Sequence, residues 1–281
     1  MTKPPTVAGY DTAQVASVRA TSLYIASKLG DLLHELVIVG GLVPSLLIDQ
    51  LGAREKHIGT LDLDLGMQVA ILDEHRYEER TKRLRAAGFG PDMNERGKLT
   101  RQRWKIDGPP KVTVDFLIPP SRTGDKGGQL RDIEPDFAAI IAPGLRLAFI
   151  DKRTVTLEGR TIRGEEARRE VSVCGPAAFV AMKALAFRSR GENKDAYDLI
   201  YLLQNFGEGL EDVLRALAPL LEEPETQLAL RYLSEDFKGP ESVGPIRAAE
   251  FLHGARNDDA QADAWGVVSD LLRLAGVKSV G

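Results

Sequence analysis

Cysteine is nearly missing from this chain. Cys174 is the single one in 281 residues, so no internal disulfide can form and a disulfide-stapled secreted scaffold is excluded. Its setting, "VSVCGP", suits a buried thiol in a reducing compartment. Histidine is also scarce: His34, His57, His75 and His253 show no ligand spacing and have no neighbouring cysteines, which argues against a structural zinc site. An excess of one charge is lacking too. Lys and Arg total 37 against 41 Asp and Glu, so nothing draws the whole molecule to nucleic acid or to an anionic membrane, and any polyanion must meet a local patch. No stretch approaches the roughly 20 apolar residues of a membrane span. The opening "MTKPPTVAGYDTAQ" holds no apolar run of signal length, and a cytoplasmic protein is expected. Neither a fixed-period repeat nor a low-complexity segment occurs.

What is present is an ordinary globular composition, 43% hydrophobic and 28% charged, enough for one large domain or two modest ones. "DTAQVASVRATSLYIASKLGDLLHEL" keeps apolar residues at helical spacing, with Asp11 or Thr12 as cap. "LVIVGG" reads as a short buried strand, and "LVPSLLIDQLG" as a helix closed by Gly52. An aspartate-bearing strand and a charged helix over "DEHRYEERTKRLRAAG" follow. "KLTRQRWKI" and "KVTVDFLI", separated by "DGPP", read as a hairpin. Residues 119–136, rich in Gly, Pro and charge, read as a mobile loop, and "LRLAFI", "TVTLEG" and "EVSVCG" as strands. From "GPAAFVAMKALAFRSRG" onward the pattern is helical, in "NKDAYDLIYLLQNFG", "GLEDVLRALAPLLEE", "TQLALRYLSEDF" and "DAQADAWGVVSDLLRLAG". The expected class is α+β: a mixed-sheet domain over 1–174, then a C-terminal helical bundle over 175–281.

The stretch "GTLDLDLGMQV" carries the first chemical signal. On a strand, Leu61, Leu63 and Leu65 point one way and Asp62 and Asp64 the other, with the two aspartates roughly 6.6 Å apart at Cα. Two carboxylates on one partly buried face repel unless a cation sits between them, and Mg²⁺ suits a few carboxylates together with substrate phosphate. Alone, such a tripeptide fits a solvated polar face equally well. "KVTVDFLI" supplies a third acid, Asp115, opposite the face of Val112, Val114, Phe116 and Ile118; if the strands are neighbours, it joins the same cluster.

Gly40 and Gly41 can let backbone approach a ligand at a helix N-terminus, or can form only a tight turn. Ser45 lies one helical turn further on. Lys183 sits on an apolar helix, where an ammonium needs an anion, either a triphosphate or a carboxylate. Asn193 can cap the next helix, placing Lys194 and Asp195 in its first turn and Asp198 on the same face. Helix-dipole stabilisation, worth about 0.3–1 kcal/mol, is the plain alternative for Asp195. Residues 76–105 hold ten Lys or Arg against four acids, with Arg101, Arg103 and Lys105 alternating on one strand as a phosphate-facing strip. Trp104 fits a core role better than stacking on a base.

The glycine pair, "TLDLDL", "VTVDFL", "MKALAFRSR" and "KDAYDLIYLL", in that order over residues 36–206, resemble nucleotidyltransferases of the polymerase-beta superfamily. More narrowly they resemble the AbiEii/AbiGii toxin family, which includes the MenT-type toxins. One departure is "KHIG", where the family often has an arginine shortly before the paired aspartates. The resemblance implies a nucleotidyltransferase fold in which Asp62, Asp64, Lys183 and Asp195 are catalytic. Asp62, Asp64 and Asp115 would hold metal, and Gly40, Gly41, Thr60 and Lys183 would contact the nucleotide. It further implies NTP as substrate, Mg²⁺ or Mn²⁺ as cofactor in a two-metal mechanism, and the tRNA 3′ end as acceptor. The chain would be the toxin of a toxin-antitoxin or phage-defence pair, with an antitoxin protein as partner. Adenylylation of a protein or small-molecule hydroxyl, or a non-catalytic nucleotide-binding module, are the alternatives. Weak RNA contacts would fall to Arg101, Arg103 and Lys105.

Overall fold

The structure, a computed structural model, describes residues 3–49, 55–68, 74–94, 96–106 and 111–277. It is α+β with a mixed sheet, and the chain divides into two compact units. One takes in Asp11–Leu42 and Gly59–Cys174; the other takes in Thr2–Tyr10, Val43–Ile58 and Gly175–Gly281. The helical unit therefore includes two segments from early in the chain as well as everything after Cys174.

In the sheet unit, helix α1 (Thr12–Leu29) starts where the Asp11 carboxylate accepts a hydrogen bond from the Gln14 N–H at 3.1 Å. It stops at Gly30, which has a φ of 57°. The expected continuation to residue 36 is instead a tighter 3₁₀ segment, Gly30–Glu35, because the positive φ at Gly30 breaks the α-helical path. Strand β1 (Leu36–Val39) is buried throughout. The short helix α2 (Val43–Leu47) belongs to the other unit. Strand β2 (Asp62–Met67) and helix α3 (Glu74–Ala86) follow. Then come β3 (Phe89–Met93), β4 (Leu99–Ile106), β5 (Thr113–Ile118), β6 (Leu130–Glu134) and β7 (Phe137–Ile141). Helix α4 (Leu147–Ile150) precedes the long antiparallel pair β8 (Lys152–Arg160) and β9 (Glu166–Cys174).

The strand order is β3-β4-β5-β2-β1-β9-β8, with β7 also pairing β5 and β6 pairing β7. β2 runs parallel to β5 and antiparallel to β1. β4 pairs antiparallel with the first half of β5, as the hairpin reading expects, and β7 pairs parallel with its end. On the apolar face Trp104, Phe116 and Phe137 meet edge to face, with centroids 5.0 to 6.1 Å apart. All three are buried, which places Trp104 in the core.

Several expectations need correction. "LRLAFI" is not a strand: Leu147–Ile150 is one helical turn after the Gly144 bend, and periodicity cannot separate strand from helix in so short an apolar run. Residues 119–136 are not all loop, since Leu130–Glu134 pairs with β7. β3 and β7 carry no signal strong enough to be anticipated. The proposed "DGPP" turn and the Gly52 helix end lie outside the described residues.

The helical unit contains α2, α5 (Pro176–Arg190), α6 (Asn193–Asn205), α7 (Leu210–Leu217), α8 (Pro224–Asp236), α9 (Val243–His253) and α10 (Asp258–Leu274). α9 escapes the sequence reading because Gly244 and Pro245 sit in its first turn and disguise it. Proline is tolerated there, and Gly244 is required by packing, since a Cβ would fall 2.4 Å from the Phe237 ring. Asn193 is not the cap of α6: Glu192 occupies the cap position without a side-chain bond. The Asn193 amide instead donates to the Pro5 carbonyl at 3.2 Å. α5 ends at Gly191, whose φ of 64° turns the chain toward α6.

Trp104→Ala should lower the unfolding free energy by about 3–5 kcal/mol, measured by urea titration. A loss under about 1 kcal/mol would show that the aromatic cluster does not anchor the sheet.

Candidate metal centre and buried charge network

The sheet places its acids by register. Parallel pairing of β2 with β5 sets Asp64 opposite Asp115 and Asp62 opposite Thr113. β4 pairing sets Arg103 opposite Asp115, and β1 pairing sets Val39 opposite Asp64. Side chains in one cross-strand row share a face, so Asp64, Asp115 and Arg103 form a row, with Asp62 two residues along the strand on the same face. One oxygen from each of Asp62, Asp64 and Asp115 lies within 4.8 Å of the others. Asp62 and Asp115 are buried and Asp64 is half-buried.

Among the described residues, Thr60 and Arg103 bond these carboxylates and Gly40 makes room for one of them. The Thr60 hydroxyl donates to Asp62 Oδ1 at 2.8 Å. Arg103 grips Asp115 with two bonds, Nε to Oδ1 at 2.7 Å and Nη2 to Oδ2 at 2.5 Å. The hydrogen bonds to Asp115, with the nearby charges of Asp62 and Asp64, push the Arg103 pKa above its ordinary value. Gly40 has a φ of 72°, and a Cβ there would fall 2.0 Å from Asp64 Oδ2. Any side chain at position 40 would displace the aspartate. Gly41 is buried in the 3₁₀ turn Gly40–Leu42. The helix after it, Val43–Leu47, has only five residues, much shorter than the sequence pattern suggests.

An all-oxygen set of three carboxylates fits a hard divalent cation. Taken with Arg103, the four side chains carry a formal charge of −2, which one such ion would neutralise.

The helical unit has its own buried constellation, centred on Asp198. Lys183 Nζ lies 2.8 Å from Asp195 Oδ1 and 2.7 Å from Asp198 Oδ2. Lys194 Nζ reaches Asp198 Oδ1 at 2.5 Å, an i,i+4 pair on α6. His57 Nε2 is 2.9 Å from the same oxygen, and its Nδ1 is 3.0 Å from Ser45 Oγ. Arg190 closes on Asp195 with bonds of 2.6 and 2.8 Å. The His57 ring stacks on Tyr197 at 5.4 Å.

Burial alone would raise both aspartates, but the charges of Lys183 and Lys194 hold Asp198 well below the carboxylate range. Lys183 and Arg190 do the same for Asp195. Burial would lower Lys183, yet Asp195 and Asp198 outweigh it and keep the ammonium charged. Lys194 is pushed down to about 8, by burial first, against the pull of Asp198. Burial lowers His57 to about 4, so it is neutral at pH 7. The neutral ring has one N–H, which donates to Asp198, leaving Nδ1 to accept from the Ser45 hydroxyl.

Asp195 thus has far more than a helix dipole to stabilise it, and Lys183 finds the carboxylates that its apolar helix demands. His57, Ser45, Lys194, Asp198 and Arg190 were not assigned a role from sequence. The i,i+4 spacing of Lys194 and Asp198 was the available signal; nothing local marks His57. Arg101, Arg103 and Lys105 each face an acid: Asp132 at 2.9 Å, Asp115, and Asp92 at 3.8 Å. The side chains of residues 74–77 and residue 95 lie outside the described residues, so that end of the basic segment has no structural account.

No protein-family model matches this chain, and no curated protein matches it. Among the described residues no helix is long and apolar enough to cross a membrane.

The depressed His57 pKa sets a pH dependence. A histidine buried neutral stabilises the fold fully above pH 6.5, and that stability drains away as pH falls toward about 4. Wild type should lose on the order of 3 kcal/mol more than His57→Gln across that interval, read from urea midpoints at each pH. Parallel curves for the two proteins would show that His57 is not held neutral.

Proposed function

We propose that this chain is a metal-dependent nucleotidyltransferase that moves a nucleoside monophosphate from an NTP to an acceptor hydroxyl. The observation carrying this reading is the gathering of Asp62, Asp64 and Asp115 oxygens within 4.8 Å on neighbouring strands. Its support from sequence is the resemblance, over residues 36–206, to the AbiEii/AbiGii toxin family within the polymerase-beta superfamily.

Asp62, Asp64 and Asp115 would hold Mg²⁺ or Mn²⁺. Bound there, the ion supplies Lewis-acid stabilisation of charge on the phosphoryl and attacking oxygens. The residues of the chain prepare that binding. Thr60 fixes one oxygen of Asp62, and the bare backbone of Gly40 admits Asp64. Lys183, kept charged by Asp195 and Asp198, is the ammonium assigned to the triphosphate, and Asp195 is the acid that orients it. In the transfer, the acceptor oxygen bonds to the α-phosphorus, the α–β bridging bond breaks, pyrophosphate leaves, and the hydroxyl proton passes to water.

The acceptor proposed is the tRNA 3′ end, with the chain acting as a toxin restrained by an antitoxin. The basic segment 76–105 supports an RNA acceptor. The pairing of Arg103 with the buried Asp115 takes one residue out of that basic strip, which favours a second reading, in which a protein or small-molecule hydroxyl is modified by the same residues.

Incubation of the full chain with each α-labelled NTP and Mg²⁺, with total tRNA or total protein, tests the reading. Label should appear at tRNA 3′ ends and fall by roughly a hundredfold or more in Asp62→Asn. Label confined to protein would replace the acceptor. Absence of label from every substrate, or equal label in Asp62→Asn, would remove the enzyme. Expression should also slow growth with wild type and not with Asp62→Ala.

A further inference from the structure

The bidentate pair Arg103–Asp115 stands inside the acid cluster, and this position carries a consequence for metal binding. Asp115 presents both oxygens to the guanidinium, at 2.7 and 2.5 Å. The remaining acids, Asp62 and Asp64, lie close enough for their charges to act on Arg103 as well. Asp115 is buried and the Arg103 side chain is one quarter exposed. A planar guanidinium matched to a carboxylate in this way is a strong, directional contact.

We propose that Arg103 is a resident cation that competes with the metal for Asp115. On this assignment, which rests on the metal reading of the triad, a divalent ion meets Asp62 and Asp64 first. It gains Asp115 only when the guanidinium is displaced. Two effects act in the same direction. Each Asp115 oxygen already has one lone pair engaged by an N–H donor, and a fixed positive charge a few ångströms away opposes a second cation in a site of reduced dielectric. A triphosphate alters both, because its negative charge gives the displaced guanidinium a new partner. Arg103 would thereby keep the centre poor in metal until nucleotide is present. Arg103 is a positioning residue in this account, with no bond to the reacting atoms required of it. The role differs from the phosphate-facing strip suggested by its alternation with Arg101 and Lys105.

The test is Mn²⁺ binding to the full chain without nucleotide, followed by electron paramagnetic resonance, with circular dichroism confirming that each variant is folded. Arg103→Gln should bind Mn²⁺ at least about tenfold more tightly than wild type. Arg103→Lys, which keeps the charge but loses the two-pronged geometry, should fall between them and guards against loss of fold in the glutamine variant. Adding Asp115→Asn to Arg103→Gln should abolish the gain. Equal or weaker binding in both single variants would overturn the competition while leaving the metal site intact. A gain of undiminished size in the presence of Asp115→Asn would also overturn it, since loss of the Arg103 charge alone would then account for the whole effect and no competition for Asp115 would be left. Failure of every variant to bind Mn²⁺ at millimolar concentration would instead remove the metal site itself.

Discussion

The sheet unit depends on one constraint: acids that share a partly buried face must be compensated where they stand. Parallel pairing of β2 and β5 fixes Asp64 beside Asp115, and slipping the register by one residue would send every apolar side chain of β2 to the other face. The apolar face, with Leu63, Leu65, Val114, Phe116 and Trp104 buried, therefore locks the acids together as firmly as it locks itself. Repulsion among carboxylates at that spacing is the standing cost of the arrangement. Arg103 from β4 offsets part of it, the Thr60 hydroxyl holds Asp62, and Gly40 gives Asp64 the space it occupies.

The helical unit meets the same problem with a different balance. Asp198 takes hydrogen bonds from Lys183, Lys194 and His57, and Asp195 takes them from Lys183 and Arg190. Three cations face two carboxylates, with the imidazole neutral. A buried pair of this kind contributes little net stability relative to an apolar replacement, but removing one member leaves a charge stranded, at about 3–5 kcal/mol. The network also fixes protonation states. Lys183 stays an ammonium because two carboxylates flank it, whereas burial lowers Lys194, and the one carboxylate it shares with Lys183 and His57 does not offset that. Segment 43–58 enters this unit through such contacts: His57 on Asp198, the Ile58 N–H on the Tyr197 hydroxyl at 3.2 Å, and the Glu55 carbonyl receiving the Tyr201 hydroxyl at 2.8 Å.

Those contacts explain where the sequence was legible and where it was not. Alternation along "LDLDL" and "VTVDF" is a local property, so the face of each aspartate could be read directly; their convergence required the pairing partner, which only the assembled sheet supplies. Strongly periodic segments such as α1, α5 and α6 stood out for the same reason. Segments whose identity is settled by neighbours did not: β7 is short and apolar, α4 is a single turn, and α9 begins with a glycine that only Phe237 explains. At the helical network, Lys194 and Asp198 lie four residues apart and could be paired by spacing, but His57 is joined to Asp198 across 141 residues. No pattern within a window could link them. The Arg103–Asp115 contact was likewise hidden, because alternation told which face Arg103 shares and not which acid waits there.

Strand β4 shows why counting charges misjudges a surface. Arg101 and Arg103 are two residues apart and alike in sequence context, yet their pairs differ in kind. Arg101 meets Asp132 with 42% and 63% of the two side chains exposed, and an exposed pair of this sort is worth about 0–1 kcal/mol and is weakened by salt. A phosphate could take the place of Asp132 at little cost. Arg103 holds a carboxylate that is only 7% exposed, so an incoming anion must be accompanied by a cation for Asp115, or leave that carboxylate stranded. One arginine is therefore free to exchange partners with any polyanion, while the other can exchange only if another cation takes its place at Asp115. A basic strip read from spacing alone treats them as equals; burial of the partner, more than the charge of the arginine, decides which of them a nucleic acid can recruit.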